Sequence, residues 1–345
     1  MGIESKVTFV VDISREVGKG HFSRCKALYE HLLLSGLVAE EINWLLVGLT
    51  DSDLKQDFSD LNRSRIQKVI STDLNVDILS LETQSVVIDL PKIDFRAYQN
   101  YLPARIKTIL IVDRPIGIYQ VDILVAPNLF QSGNFQSIMD LNKNSVCLIG
   151  PEWFPLRPEF YKKQITSPKT YSNIYRVKVG AYFGGLDAEN QIDKVYKASQ
   201  ILNSAEIQFD LVAGSESRLV MNSKSLSNIE ISLRKSNFPE YLSSCDLFIG
   251  SLGVSAWERS YLRIPTITSF QNNDQIEDYE VMMKLDAIYG IGHAEEYSST
   301  YLAEVIERLL LDQALLESLK TNSHMVMRKS ESKASYLISQ ILNIN

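Results

Sequence analysis

Short apolar runs of strand length alternate along the chain with segments whose apolar residues recur every three or four positions. That alternation predicts parallel strands covered on both faces by helices. In the first half, strands are predicted over residues 7–11, 42–47, 85–88, 108–112, 122–125 and 146–149. A helix is predicted over 22–35, where Phe22, Cys25, Leu28 and Leu32 share one face. Residues 150–160 interrupt the pattern with Pro151, Pro155, Pro158 and two large aromatics, so no regular helix forms there. A polar stretch over 162–173 follows. The alternation then resumes, with strands over 177–182, 207–212, 229–233, 247–249 and 266–269. Helices are expected over 190–202, 237–243, 254–262, 275–285, 299–311 and 313–327, and Ala334, Leu337, Ile338 and Ile341 mark a last one over 333–342. The expected architecture is α/β: two Rossmann-like domains facing a cleft, residues 1–167 and 168–328, with a C-terminal segment 329–345.

Polar groups gather where these strands end. The first strand runs into Asp12 and then into a turn bearing Gly18 and Gly20, with His21 at the start of the next helix. Glycines allow a tight turn and close approach of a ligand, and a helix start favours negative charge. His21 is the group there that exchanges a proton near neutral pH. Asp89-Leu90-Pro91 and Asp113-Arg114-Pro115 stop two further strands, at the end of a parallel sheet where ligands bind. Two more glycine turns follow strands in the second half: Gly184-Gly185-x-Asp187 and Gly250-Ser251-Leu252-Gly253-Val254-Ser255. Each can present backbone N–H groups to a phosphate, or can simply join a strand to a helix. Three such junctions in one chain shift the weight toward a ligand.

Three other features stay open between two roles. Glu258 either accepts hydrogen bonds from sugar hydroxyls or complements the dipole of its own helix. In Asn272-Asn273-Asp274-Gln275 the side chains either cap the next helix or bind sugar hydroxyls. Arg157, stiffened between two prolines, either forks onto an anion or forms an ordinary salt bridge. Trp153 and Phe154 read as hinge packing rather than a stacking platform.

Composition narrows the choice. At 345 residues and 45% hydrophobic, the chain suits two mid-sized domains with packed cores. A net charge of -7 makes nucleic acid an unexpected partner. Cys25, Cys147 and Cys245 are scattered among apolar runs, which reads as buried thiols rather than a disulfide frame. The four histidines form no cluster with them, so no metal and no other cofactor is expected. Residues 1–6 lead into a strand without a leader pattern, and no apolar run nears the ~20 residues of a membrane span. A cytoplasmic location is expected, with contact at the inner membrane face left open.

The motifs together resemble a known family. Asp12-x-Ser14-x-x-Val17-Gly18-x-Gly20-His21-x-x-Arg24-Cys25 is similar to the opening motif of the bacterial UDP-sugar hydrolases of pseudaminic acid synthesis, the PseG/SpsG-like proteins. Gly150-Pro151-x-Trp153-x-x-Leu156-Arg157-x-Glu159-Phe160 resembles their middle motif. Phe183-Gly184-Gly185-x-Asp187 and Ser255-x-Trp257-Glu258-Arg259-x-x-x-Leu262-x-Ile264-Pro265 resemble the later ones. More distantly the chain is similar to MurG, the transferase that adds N-acetylglucosamine in peptidoglycan synthesis.

The resemblance implies a GT-B fold whose last helix crosses back onto the first domain. It implies that Gly253 and Ser255 meet the diphosphate, that Glu258 meets the ribose, and that His21 is the general base. Two positions depart from the hydrolase pattern. The hydrolases carry Asp-His-Tyr where this chain has Asp89-Leu90-Pro91, and Asn-Gln where it has Asp274-Gln275, unless Asn273 takes the asparagine's place. Changed water-side groups beside retained donor motifs point to a nucleotide-sugar-dependent glycosyltransferase of surface-polysaccharide assembly. Its donor is expected to be UDP-linked and its acceptor a sugar or a lipid-linked sugar. Hydrolysis of the same donor is the alternative, and a non-catalytic sugar-nucleotide binder is a third.

Overall fold

The structure, a computed structural model, describes residues 5–14, 17, 19–49, 61, 65–69, 82–91, 94–97, 102–129, 134–163, 177–185, 187, 189–214, 228–233 and 235–343. The chain divides into two compact units. Met1–Pro158 and Lys329–Asn345 form the first, and Glu159–Arg328 the second. The boundary expected near residue 168 lies outside the described residues. A single α-helical turn at Pro158–Tyr161 starts within residues 150–160, where no regular helix was expected, because proline is tolerated in a helix's first turn. The longer helices, in chain order, are α1 (Gly20–Leu34), α2 (Asn134–Leu141), α3 (Gln191–Leu202), α4 (Phe238–Ser244) and α5 (Val254–Tyr261). They continue as α6 (Ile276–Lys284), α7 (Ser299–Leu311), α8 (Gln313–Met327) and α9 (Ser330–Ile341).

The first unit is built on β1 (Ser5–Asp12), β2 (Ile42–Val47), β3 (Ile66–Val69), β4 (Thr83–Asp89), β5 (Lys107–Ile111), β6 (Ile123–Ala126) and β7 (Val146–Ile149). These lie side by side in the order β3-β2-β1-β4-β5-β6-β7, every neighbouring pair parallel. Successive side chains of a strand point to opposite faces. Val7, Phe9 and Val11 therefore pack with Leu28 and Leu32 of α1, while Val10 packs with Leu45, Val86 and Ile88 on the other side. Burial on both faces is why these strands read as unbroken apolar runs. Phe9 stacks on its in-register neighbour Trp44, with ring centroids 4.5 Å apart. Leu337, Ile338 and Ile341 of α9 join the same core, and Ser85 Oγ donates to Ile341 O at 2.7 Å. The last helix thus belongs to the first unit.

The second unit repeats the plan with β8 (Val177–Tyr182), β9 (Ile207–Val212), β10 (Ile229–Ser232), β11 (Leu247–Ser251), β12 (Thr266–Phe270) and β13 (Tyr289–His293). Their order is β10-β9-β8-β11-β12-β13, again all parallel. Helices α3 and α7 cover one face through Ile192, Val195, Leu302, Ile306 and Leu309.

Both sheets grow outward from a central strand in one direction, then return to its other side. The first reverses between β1 and β4, the second between β8 and β11. Each reversal leaves a crevice at the carboxyl ends of two neighbouring strands, where open parallel sheets bind ligands.

Three elements carry too little periodic signal to be predicted. Strand β3, Ile-Gln-Lys-Val, alternates too briefly, and two glycines interrupt the apolar pattern of β13. In α2 only Ile138 is buried, while Phe135, Met139 and Leu141 are exposed. Helix α1 begins at Gly20 rather than at residue 22, which places Gly20 and His21 inside its first turn.

Candidate active site

The turn after β1 ends the central strand of the first unit at its crevice. Asp12, buried, braces the turn by accepting from Ser14 N at 2.9 Å. Gly18 lies outside the described residues. His21 and Arg24, three positions apart on α1, project from the same side of the helix. They meet Asp89 at the end of β4, across the β1/β4 reversal.

Asp89 is completely buried and is held from two sides. Arg24 donates to it twice, Nε to Oδ2 at 2.6 Å and Nη2 to Oδ1 at 2.7 Å. His21 Nδ1 lies 2.7 Å from Oδ1. Burial by itself would disfavour the charge, but Arg24 and His21 outweigh it and hold the Asp89 carboxyl well below the usual carboxylate range. Burial also opposes the charge on Arg24, and Asp113 and Asp89 together overcome it and raise that pKa. Burial, reinforced by Asp89, raises the Cys25 thiol beside them, so this cysteine is inert packing.

The proton on His21 follows from its neighbours. Arg24 Nη2 sits 2.9 Å from Nδ1, but it can only donate and already has Asp89 Oδ1 as acceptor. A lone pair on Nδ1 would face a carboxylate oxygen. Nδ1 therefore carries the hydrogen and donates to Asp89, and in the neutral ring Nε2 is then the accepting nitrogen. The His21 side chain is 15% exposed.

Asp113, after β5, completes the group: its Oδ1 accepts from Arg24 Nη1 at 2.5 Å, and its Oδ2 lies 3.6 Å from His21 Nε2. Arg24 thus fills the space between the two carboxylates with its own positive charge. Among the described residues no set of three or more His, Cys, Asp or Glu side chains is placed to hold a metal ion. Arg24 stood in the opening motif and Asp113 at a strand end where ligands bind, but neither was given a role from the sequence. An arginine three positions after a histidine at a helix start, and a second acid at a strand end, were the available signals.

In the second unit the glycine turns flank the β8/β11 reversal. Gly184 adopts φ +89°, a left-handed conformation that favours glycine, and a Cβ at Gly184, Gly185 or Gly253 would meet no atom of the described residues within 4 Å. Asp187 accepts from the backbone N–H of Gln191 at 2.9 Å and of Ile192 at 3.0 Å, so it caps α3. Burial raises its carboxyl above the ordinary value despite those two donors. Gly253, in extended conformation, precedes Val254, the first residue of α5, and no side chain caps that helix start.

Arg259 positions Ser255. Its Nη1 donates to Ser255 Oγ at 2.8 Å and its Nη2 to Ser251 O at 3.0 Å, with the guanidinium 5.0 Å from the Phe248 ring centroid. Burial lowers the Arg259 pKa to about 10, against the opposing pull of Glu258 and Tyr241. Because Ser255 Oγ accepts from Arg259, its own hydrogen is directed elsewhere. Glu258 is itself 4% exposed and belongs to this buried set.

The other predicted positions are placed less tightly. Asn273 and Asp274 are exposed on a single 3₁₀ turn after β12, while Gln275 Oε1 accepts from Gln271 N at 2.9 Å and braces that turn. Arg157 is half-buried near the end of the first unit's opening stretch. His31 Nε2 bonds Leu156 O and His324 Nδ1 bonds Tyr261 O, both in structural roles. A hollow of about 730 Å³ lined by Thr108, Asp122 and Ser145 lies at the amino ends of β5 to β7, the wrong end of a parallel sheet for a ligand.

Two parallel Rossmann-like sheets, each reversing beside polar strand ends, define the GT-B fold class. A kitacinnamycin glycotransferase superposes with a TM-score of 0.65, covering 99% of this chain and 100% of its own at 13% identity. MurG of Acinetobacter baumannii gives 0.64, with 98% and 100% covered at 10% identity. UGT89C1 of Arabidopsis thaliana, complexed with UDP-L-rhamnose, gives 0.62, with 99% and 100% covered at 14% identity. At these identities the likeness is one of fold. No family model matches the sequence. An uncharacterised protein of Methanocaldococcus jannaschii, MJ1062, is 23% identical over 288 residues, 81% of this chain; the match spans 58% of that relative's length. Among the described residues no helix is long and apolar enough to cross a membrane.

Proposed function

We propose that the protein is a nucleotide-sugar-dependent glycosyltransferase in which His21 is the general base. The observation that carries this is the His21–Asp89 hydrogen bond at the β1/β4 reversal, which leaves Nε2 ready to accept a proton. His21 Nε2 takes the proton of an acceptor hydroxyl as that oxygen's electron pair forms the bond to the anomeric carbon of the donor sugar. The bond from that carbon to the diphosphate breaks, and its electrons leave with the nucleoside diphosphate. Such a base is typically worth ~10²–10⁴-fold in rate.

The donor is assigned to the second unit. On this reading the backbone N–H groups at Gly184, Gly185, Gly253 and Val254, with the Ser255 hydroxyl, meet the diphosphate, and Glu258 the ribose. The start of α5 beside them favours the negative charge that grows on the leaving group, and that dipole, rather than a metal or another cofactor, is given this work. UDP-L-rhamnose bound to a protein of the same fold supports a UDP-linked donor. A role in surface-polysaccharide assembly, with a sugar or lipid-linked acceptor, is part of the proposal.

Hydrolysis of the donor is the second reading, favoured by the resemblance of Gly150–Phe160 and of the segment around His21 to the pseudaminic-acid hydrolases. One assay decides between them. The protein is incubated with a panel of UDP-, dTDP- and CMP-sugars, with and without a lipid-linked glycan extract, and nucleotide release and glycan mass are followed. Release that depends on the extract supports transfer. Rapid release of free sugar without it favours hydrolysis, and binding without release under any condition overturns both.

A further inference from the structure

Asp113 divides its two oxygens between two tasks. Oδ1 is held by Arg24 Nη1 at 2.5 Å, and Oδ2 faces His21 Nε2 at 3.6 Å. Its side chain is 34% exposed, whereas that of Asp89, on the other side of Arg24, is closed off at 1%. An accepting oxygen therefore borders the same space that receives the nucleophile at Nε2.

A second acceptor beside the base restricts what can sit there. A hydroxyl that gives its one hydrogen to Nε2 would turn lone pairs toward a carboxylate, which is unfavourable. A further hydrogen must reach Oδ2. A single oxygen ~2.8 Å from both atoms would see them at ~80°, narrower than the angle between the two hydrogens of water. Two oxygens side by side fit better. Adjacent hydroxyls of a sugar lie about one hydrogen-bond length apart, so each can point at one acceptor.

We infer that Asp113 is a specificity-determining residue that selects acceptors bearing a vicinal diol. One hydroxyl loses its proton to His21 Nε2 and attacks the anomeric carbon. Its neighbour keeps its hydrogen and donates it to Asp113 Oδ2. The leaving electrons go to the nucleoside diphosphate as before. Arg24 fixes Oδ1, so the accepting oxygen is oriented before any acceptor arrives. The inference rests on the transfer reading of the His21 site.

The test uses simple nucleophiles with whichever donor the panel turns over. Ethylene glycol, 1,3-propanediol and ethanol are supplied at equal, non-denaturing concentration, and the adducts are counted by mass spectrometry. The wild type should favour ethylene glycol over ethanol about tenfold or more per hydroxyl, the gain of one hydrogen bond to a charged group. 1,3-Propanediol should fall with ethanol. Asp113→Asn should collapse that preference toward unity with UDP affinity retained. Equal partition among the three alcohols in the wild type overturns the inference, as does a preference that survives in Asp113→Asn. Free sugar as the only product, diminished by Asp113→Asn, assigns Asp113 to water and also overturns it. No turnover of any donor overturns the transfer reading and this inference with it.

Discussion

His21 Nδ1 and Asp89 Oδ1 lie 2.7 Å apart, although 68 positions separate them in sequence. The contact exists because β4 returns to pair with β1, placing Val11 and Asp89 in register. Its consequence is chemical. The buried carboxylate selects the ring tautomer, and Arg24 keeps that carboxylate charged.

Replacing His21 by alanine should lower kcat ~10²–10⁴-fold while leaving UDP affinity within about twofold. Asp89→Asn should cost nearly as much. Its side-chain amide would donate to Nδ1 and drive the ring hydrogen to Nε2, the wrong nitrogen for a base. Steady-state kinetics beside calorimetric titration of UDP check both. A large loss of UDP affinity in His21→Ala would refute the division of labour between the units.

Arg24→Met should destabilise the fold by ~3–5 kcal/mol, because Asp89 would be left as an uncompensated buried charge. Urea unfolding monitored by circular dichroism measures it. The double variant Arg24→Met/Asp89→Leu should recover a substantial part of the loss, since the orphaned charge is gone.

Stability should also depend on acid. The folded pKa of Asp89 lies below the unfolded value near ~3.9, so its contribution is complete above that value. It is lost as the pH falls from there toward the folded pKa. Between about pH 5 and pH 3, unfolding free energy should decline more steeply in the wild type than in Asp89→Asn. Parallel curves would show that the pair does not carry this linkage.

Gly253→Ala separates room for a ligand from the needs of the fold. The backbone there is extended and a Cβ would touch none of the described residues, so unfolding should shift by no more than ~0.5 kcal/mol. UDP affinity should nevertheless fall at least tenfold if a diphosphate lies against this turn. Unaltered affinity would move the nucleotide elsewhere.

Asp187→Ala should lose the cap of α3 and cost ~1 kcal/mol. The melting temperature reports it. If UDP affinity falls with no change in melting, Asp187 meets the ligand rather than the helix.

Several layers were legible along the chain. The strands β2, β7, β8 and β9 and the helices α7 and α8 have the predicted bounds, because burial on both faces or one clear stripe leaves an unmistakable period. The glycine turns were visible too, since turns and helix starts are local matters of a few residues. Elements with weak internal patterns, such as β3 and α2, are held by long-range contacts: β3 pairs with β2, and Ile138 of α2 is buried in the core. Local propensity does not reveal them.

The sequence by itself determined two α/β units, the glycine turns at Gly184 and Gly253, and a histidine at the start of the first helix. Only the tertiary structure decided which charges meet that histidine. Asp89 lies 65 positions from Arg24, and Asp113 lies 89 from it. Nothing periodic links such residues. They come together because strand order places the ends of β1, β4 and β5 side by side, and a buried carboxylate there is tolerable only with a guanidinium against it.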